Sequence, residues 1–494
     1  MNLGTLVIII TAIAFFLTMA VGSLFGKHKQ WLMTFLQNWT GVLFIISGFV
    51  KAIDPLGTGY KMEQYFAEFQ NTFAETALSS LAPLFPFLSE HSLLCAILMI
   101  VLEIILGVML LLGSKPFFTA WSFLLLVVFF TLLTGFTYLT GYVPADVNFF
   151  EFGSWSAYNP LQMKVTDCGC FGDFIKLEPR TSFFKDVVLL VPAVYFVFAH
   201  RQMHQIFSAK TRQWIVLTSL VLISLYCVRN SVWALPHTDF RPFKEGVNIA
   251  ERKAIEEQAQ ADVEIVSYTL KNMLTGKYVE LPYAQYLKEY KSYPTTDWEV
   301  VTQNLTEPVV EETKISEFII YGPDDGDVTV ELLSRTEPFF MFISHKLYAD
   351  GNESITTTVT DSVAAIIDTL FERSDTTFIY GKKARSRKVT RVDYEWNPDF
   401  LKRFQEVVLP LSAEAKLAGV GSVLIAGGAD KEMMTDFKQD AGIEFALLNA
   451  DDILLKTIVR SNPGILLMQE GVILGKWHYR KVPDFATIKA ELLD

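Results

Sequence analysis

Cysteine is scarce in this chain: four residues among 494, at positions 95, 168, 170 and 227, and none beyond. A small disulfide-stapled scaffold is excluded, because such scaffolds are short and cysteine-dense. Charge is missing too, but from one half only. Residues 1–235 carry 25 Asp, Glu, Lys and Arg, whereas residues 236–494 carry 71. The first half is thus about 11% charged and the second about 27%, where soluble chains average roughly 25%. So little charge over 235 residues excludes a wholly soluble enzyme. The 51% hydrophobic content excludes a disordered protein. A basic excess is also lacking: 42 Lys and Arg face 54 Asp and Glu, a net charge of −12. That argues against a nucleic-acid partner.

What the first half does contain is long apolar runs. Six of them, near residues 3–25, 38–53, 92–112, 117–139, 184–200 and 213–235, approach the ~20 residues that a bilayer core requires. The second and fifth are short. The first lacks a basic leader and a small-x-small cleavage site before Lys27-His28-Lys29, so it reads as a retained helix. The basic loop residues Lys27, Lys29, Lys115, Arg201, Lys210 and Arg212 fall in alternate loops, which the positive-inside rule assigns to the cytoplasm. The loops 54–91 and 140–183 then face outward, as does everything after the sixth helix. In a bacterium this predicts a multi-pass inner-membrane protein with residues 236–494 in the periplasm.

The chemically distinctive residues of this half are few. Cys168 and Cys170 lie in Asp167-Cys168-Gly169-Cys170-Phe171-Gly172-Asp173, on the predicted outer side. A Cys-x-Cys pair holds two sulfurs close enough for exchange, and a disulfide closed across one residue is strained and labile. Gly169 and Gly172 let the backbone turn sharply. Two readings stay open: redox exchange, or a structural staple from one of the pair to Cys95. Cys95 and Cys227 taken alone read as buried, inert thiols. Glu103, in the middle of the third run, is a carboxylate at a depth where charge costs ~2.5–3.5 kcal/mol on insertion scales. It reads as a proton relay or headgroup ligand, or else as a neutral carboxyl bonded to Ser47 or Thr134. Lys51, at the end of the second run, reads as a snorkelling interface residue.

Asn38-Trp39-Thr40-Gly41, Ser47-Gly48-Phe49-Val50-Lys51, Asp54-Pro55 and Tyr60 to Phe66 resemble the opening signature of the DoxX membrane family. The run Glu103 to Gly113 resembles its second helix, and Cys168-Gly169-Cys170-Phe171-Gly172 resembles the loop of its MauE branch. The resemblance implies a four-helix core over 38–200 with two added helices. It also implies a role in redox or disulfide maturation of exported proteins. MauE is named for methylamine utilisation, but no residue here points to methylamine.

The second half is expected to open with a linker and small β segment at 236–315. It has a turn at Asp324-Asp325-Gly326-Asp327 between two short strands, lacking the full calcium-loop pattern. From 316 to 494 the order reads β-α-α-β-α-β-β-α. Strands are expected at 338–344, 421–427 and 445–448, and a hairpin at 465–468 and 472–477. Helices are expected at 357–373, 398–418, 430–440 and 484–493. An insertion is read near 374–397, carrying the basic run Lys382 to Lys388 as either a solvated loop or a docking patch. This order resembles a thioredoxin-like domain of the TlpA type, and the resemblance makes Pro463 a cis-proline. The family's Cys-x-x-Cys is replaced by His345-Lys346-Leu347-Tyr348, and without a thiolate this domain cannot exchange disulfides.

The predicted fold is therefore multi-domain: an α-helical transmembrane bundle over 1–235, followed by a degenerate α/β thioredoxin-like domain. The predicted function is a membrane thiol-disulfide oxidoreductase with Cys168, Cys170 and Glu103 as catalytic residues. The alternative is a non-catalytic membrane-anchored assembly protein; a transporter built on Glu103 ranks third. No cofactor is firmly implied, and a membrane quinone is the candidate. Expected partners are membrane lipids and an exported client or membrane-complex partner.

Overall fold

The computed structural model describes residues 2–24, 26–74, 76, 79–165, 169–372 and 375–494, with the backbone alone at 161, 355 and 357–391. The chain divides into two units, Met1–Arg241 and Pro242–Asp494.

The first unit is helical. Its helices are α1 (Leu3–Ser23), α2 (Trp31–Ile53), α3 (Pro55–Ala74), a short α4 (Leu84–Glu90), α5 (Ser92–Leu112), α6 (Pro116–Thr140), α7 (Pro179–Ala199) and α8 (Ala209–Val228). All of these except α3 and α4 belong to segments long and apolar enough to cross a membrane, six in all among the described residues. The second and fifth segments, short by sequence, are 23 and 24 residues long. Both begin before the runs read from sequence, α2 extending back through Gln37 and Thr34 and α7 through Ser182, Thr181 and Arg180, polar residues that break the apolar pattern. Helices α2 and α5 cross closely where both lack side chains. A Cβ on Gly107 would sit 2.8 Å from the Gly41 carbonyl oxygen. Small residues at such a crossing let two backbones approach.

Residues 54–91, expected as an outward loop, are largely helical instead. Pro55 opens α3, and the Asp54 carboxylate accepts the Gly57 N–H at 3.1 Å. Helix α3 lies along the first half of α5. A Cβ on Gly59 would meet the Leu93 backbone at 3.4 Å, and the Tyr65 hydroxyl is 2.8 Å from Thr137 Oγ1 of α6. The chain therefore bends at Asp54-Pro55 without leaving the bundle.

In the second unit, Asn248 caps α9 (Ile249–Ala261). A three-stranded antiparallel sheet in the order β2-β1-β3 follows, formed by β1 (Ile265–Asn272), β2 (Tyr278–Pro282) and β3 (Trp298–Leu305), with α10 (Tyr283–Glu289) between β2 and β3. Tyr321 bridges Asp327 across the Asp324–Asp327 turn. The expected strand after that turn is instead the short helix α11 (Thr329–Leu333), whose Thr329 N–H is taken by the Asp327 carboxylate.

The main sheet has five strands. β4 (Phe339–Ser344), β7 (Gly421–Ala426) and β8 (Ala446–Asn449) run parallel; β9 (Gly464–Gln469) is antiparallel to β4, and β10 (Val472–His478) is antiparallel to β9. The order is β10-β9-β4-β7-β8. All six residues of β4 are buried, as a central strand covered on both faces requires. Helices α12 (Pro398–Arg403), α13 (Leu409–Leu417), α14 (Lys431–Asp440), α15 (Asp452–Ile458) and α16 (Phe485–Leu492) complete this layer. Phe340, Phe342, Phe400, Phe404 and Phe437 share its core. The Asn462-Pro463 bond is cis.

The helix expected at 357–373 is not formed. Residues Ala349–Glu372 (β5) and Asp375–Trp396 (β6) make one long antiparallel hairpin, so the insertion read at 374–397 is its returning strand. The segment is rich in Thr, Val and Ile, which suit a pleated surface. Its apolar residues satisfy both periods, and pairing with Asp375–Trp396 decides.

Candidate functional site

Four helices carry charge into the apolar bundle, and one loop closes over them. Lys51 lies one turn before the end of α2. Because α3 continues through the bundle, this end is interior and Lys51 is only 4% exposed. The Lys51 Nζ reaches Glu103 Oε2 of α5 at 2.7 Å and donates to Ser47 Oγ at 3.3 Å. It also lies 5.3 Å from the centre of the Phe130 ring of α6. Pairing makes a carboxylate at this depth tolerable. The reading of Lys51 as a surface snorkeller is therefore corrected, as are the expected Glu103 partners. Ser47 and Thr134 both bond elsewhere.

A second buried pair faces the same space. Lys185 of α7 pairs with the neighbouring Asp186, whose other carboxylate oxygen accepts from Thr134 Oγ1 at 3.0 Å. Lys61 of α3 lines the space as well. The cavity measures about 740 Å³ including its mouth, and its remaining wall is mostly apolar, with Phe44, Met99 and Leu189 among its residues.

The loop before α7 closes one side. Gly169 and Gly172 adopt φ of +61° and +53°, a region that side chains other than glycine rarely enter. The turn they make brings Cys170 to the cavity wall, where its carbonyl accepts from Ser47 Oγ at 2.9 Å. A continuous path therefore runs from Glu103 through Lys51 and Ser47 to the Cys170 backbone. Burial pushes the Cys170 thiol up, while Lys185 and Lys51 pull it down. Burial has the larger effect, so the resting group is a thiol.

Of the residues singled out by sequence, Glu103 and Cys170 meet at this cavity. Cys168 lies outside the described residues. Cys95 is half-buried on α5 and Cys227 is buried on α8; neither lines the cavity. Cys95, Cys170 and Cys227 are free thiols. Pro463 belongs to the second unit. Sequence reasoning missed Lys185 and Asp186, although two adjacent charges opening an apolar run were a visible signal.

A family model described as "Methylamine utilisation protein MauE" matches residues 29–145, about a quarter of the chain. The match runs from the start of α2 to just past α6. It includes Ser47, Lys51, Glu103 and Thr134 and stops before Cys170, Lys185 and Asp186. No curated protein and no solved structure matches the chain. Together with the six apolar spans, the match makes this a multi-pass membrane protein with a MauE-like region.

Proposed function

We propose that this protein carries out thiol–disulfide redox chemistry in the maturation of exported proteins. Cys168 and Cys170 are the exchanging pair, and the buried charges are the polar wall of the reaction chamber. The observation that carries this reading is that Cys170 opens on the same cavity as the Lys51–Glu103 and Lys185–Asp186 pairs. Ionisable groups buried in membrane-spanning segments and converging on one cavity mark functional sites.

In this reading the oxidised Cys168–Cys170 pair is attacked by a client thiolate, giving a mixed disulfide. A second client thiolate then releases the oxidised client and leaves the pair reduced. A membrane quinone would supply the oxidising power, accepting the two electrons and two protons that restore the disulfide. Lys51 and Glu103 would hold its polar head and exchange its protons. The cytoplasmic membrane of a bacterium, with the second unit in the periplasm, is the setting this chemistry needs. The second unit binds the client. A thioredoxin-like identity for it is supported by the β8-β7-β4-β9-β10 order.

Thiol trapping of the intact protein in cells, with mass mapping of all four cysteines, tests this. Mixed disulfides between Cys168 or Cys170 and exported proteins are expected. They should vanish in the Cys168→Ser/Cys170→Ser variant together with client oxidation. Full client oxidation by that variant overturns the reading.

One observation favours a second reading, a non-catalytic assembly protein. At the end of β4, Ser344 Oγ donates to Asn462 Oδ1 at 2.8 Å, and Asn462 Nδ2 donates to the Lys346 carbonyl at 2.8 Å. The place of the missing Cys-x-x-Cys is thus occupied by a closed hydrogen-bonded link. Crosslinking should then recover one stable partner whatever the thiol state.

A further inference from the structure

The β5–β6 hairpin is far longer than its attachment to the sheet requires. At its base the Val392 N–H donates to Glu432 and Trp396 Nε1 donates to Asp436, both on α14. Beyond residue 355 the two strands pair only with each other, over a length of roughly 60 Å. A two-stranded ribbon is marginally stable in water by itself. Something else must meet this one.

The register sorts the ribbon into two zones. Lys382, Lys383, Arg385, Arg387, Lys388 and Arg391 put six cations in ten residues of β6. They stand opposite Ala364, Val363, Asp361, Val359, Thr358 and Ile355, so one acid faces all six. Lys383, Arg385, Arg387 and Arg391 occupy alternate positions and share one face of the ladder. Distal to this band the ladder is mixed: Ile366 pairs Tyr380 and Thr369 pairs Phe378, while Asp368, Glu372 and Asp375 are acidic. The cations are therefore confined to one band of the ribbon, and such a band in an otherwise acidic unit matches a surface of anionic headgroups.

We propose that the distal β5–β6 hairpin is an arm that docks on an anionic lipid surface. Residues 382–391 meet the headgroups, and the ribbon lies on the surface without entering the hydrocarbon. Reach is not limiting. Only eight residues, 234–241, join the last apolar span to the second unit, which tethers that unit to the membrane. Deep insertion is excluded, because the outer edges of a two-stranded ribbon leave N–H and C=O groups that hydrocarbon cannot satisfy. A second copy of the chain is the weaker occupant. Pairing β6 with another β6 would set cation beside cation, a charged-edge device that blocks such pairing.

The test is hydrogen exchange of the full-length protein in nanodiscs of phosphatidylcholine alone or with 30% phosphatidylglycerol. With the anionic lipid, residues 355–364 and 382–391 should exchange more than about tenfold slower. High salt should reverse this, as screening requires. The Lys383→Glu/Arg385→Glu/Arg387→Glu variant should lose the effect while the amides of β4 and β9 keep wild-type protection. Equal exchange in both discs overturns the proposal. So does protection that survives the triple charge reversal, or that rises with protein concentration rather than anionic lipid, which would indicate self-association or an acidic protein partner.

Discussion

Removing either partner of the Lys51–Glu103 pair leaves the other buried without a counter-charge, at a cost of about 3–5 kcal/mol. Glu103→Leu and Lys51→Met should each lower the unfolding midpoint of the protein in nanodiscs sharply. The double variant should recover most of the loss, since an apolar pair of similar size removes the desolvation penalty. A double-mutant cycle in thermal unfolding measures this; additive losses would show that the two residues do not act as a pair. Thr134→Val leaves one Asp186 oxygen short of a donor and should cost about 1–3 kcal/mol. Glu103 was legible as singular from its depth alone. Its partner was not, because Lys51 looks interfacial until α3 is seen to continue through the bundle.

At the scale of the element, the α2–α5 crossing is the sharpest constraint. Gly107→Ala places a methyl 2.8 Å from a backbone oxygen that cannot rotate away. Overpacking of this kind costs about 1–3 kcal/mol. The substitution should separate the helices and weaken the Lys51–Glu103 contact one turn away, so a loss of stability should accompany altered reactivity of Cys170 toward a small maleimide. Unchanged stability in nanodiscs would show that the crossing is loose. Most strands and helices of the second unit were legible, because β4, β7 and β9 are unbroken apolar runs between turn residues. The hairpin was not. Residues 357–373 place apolar groups at spacings that serve a helix or a strand, and only pairing with 375–396 separates the two.

For the molecule as a whole, acid acts on the second unit through two buried histidines. Burial holds His345 down to about 3 and His478 down to about 4, from an ordinary value of 6.5. Folded, each binds fewer protons than unfolded between those limits. Their contribution to stability is therefore complete above pH 6.5 and is lost as pH falls toward 4, at roughly 1.4 kcal/mol per pH unit for each histidine. Exchange protection of β4 and β9 in the full chain, corrected for intrinsic rates, should fall across that window. A His478→Gln variant should show a shallower fall; an identical slope would remove His478 from the account.

Sequence by itself determined that the first half carries helices able to cross a bilayer, because charge density and the length of apolar runs decide solvation without reference to any partner residue. It also determined that the second half exchanges no disulfides, since a missing thiol cannot be supplied by folding. Tertiary structure alone decided which charges meet. Lys51 and Glu103 are 52 positions apart, and Thr134 and Asp186 are also 52 apart. Such pairs form only when helix packing brings distant turns to one depth, and periodicity along a single segment carries no record of that.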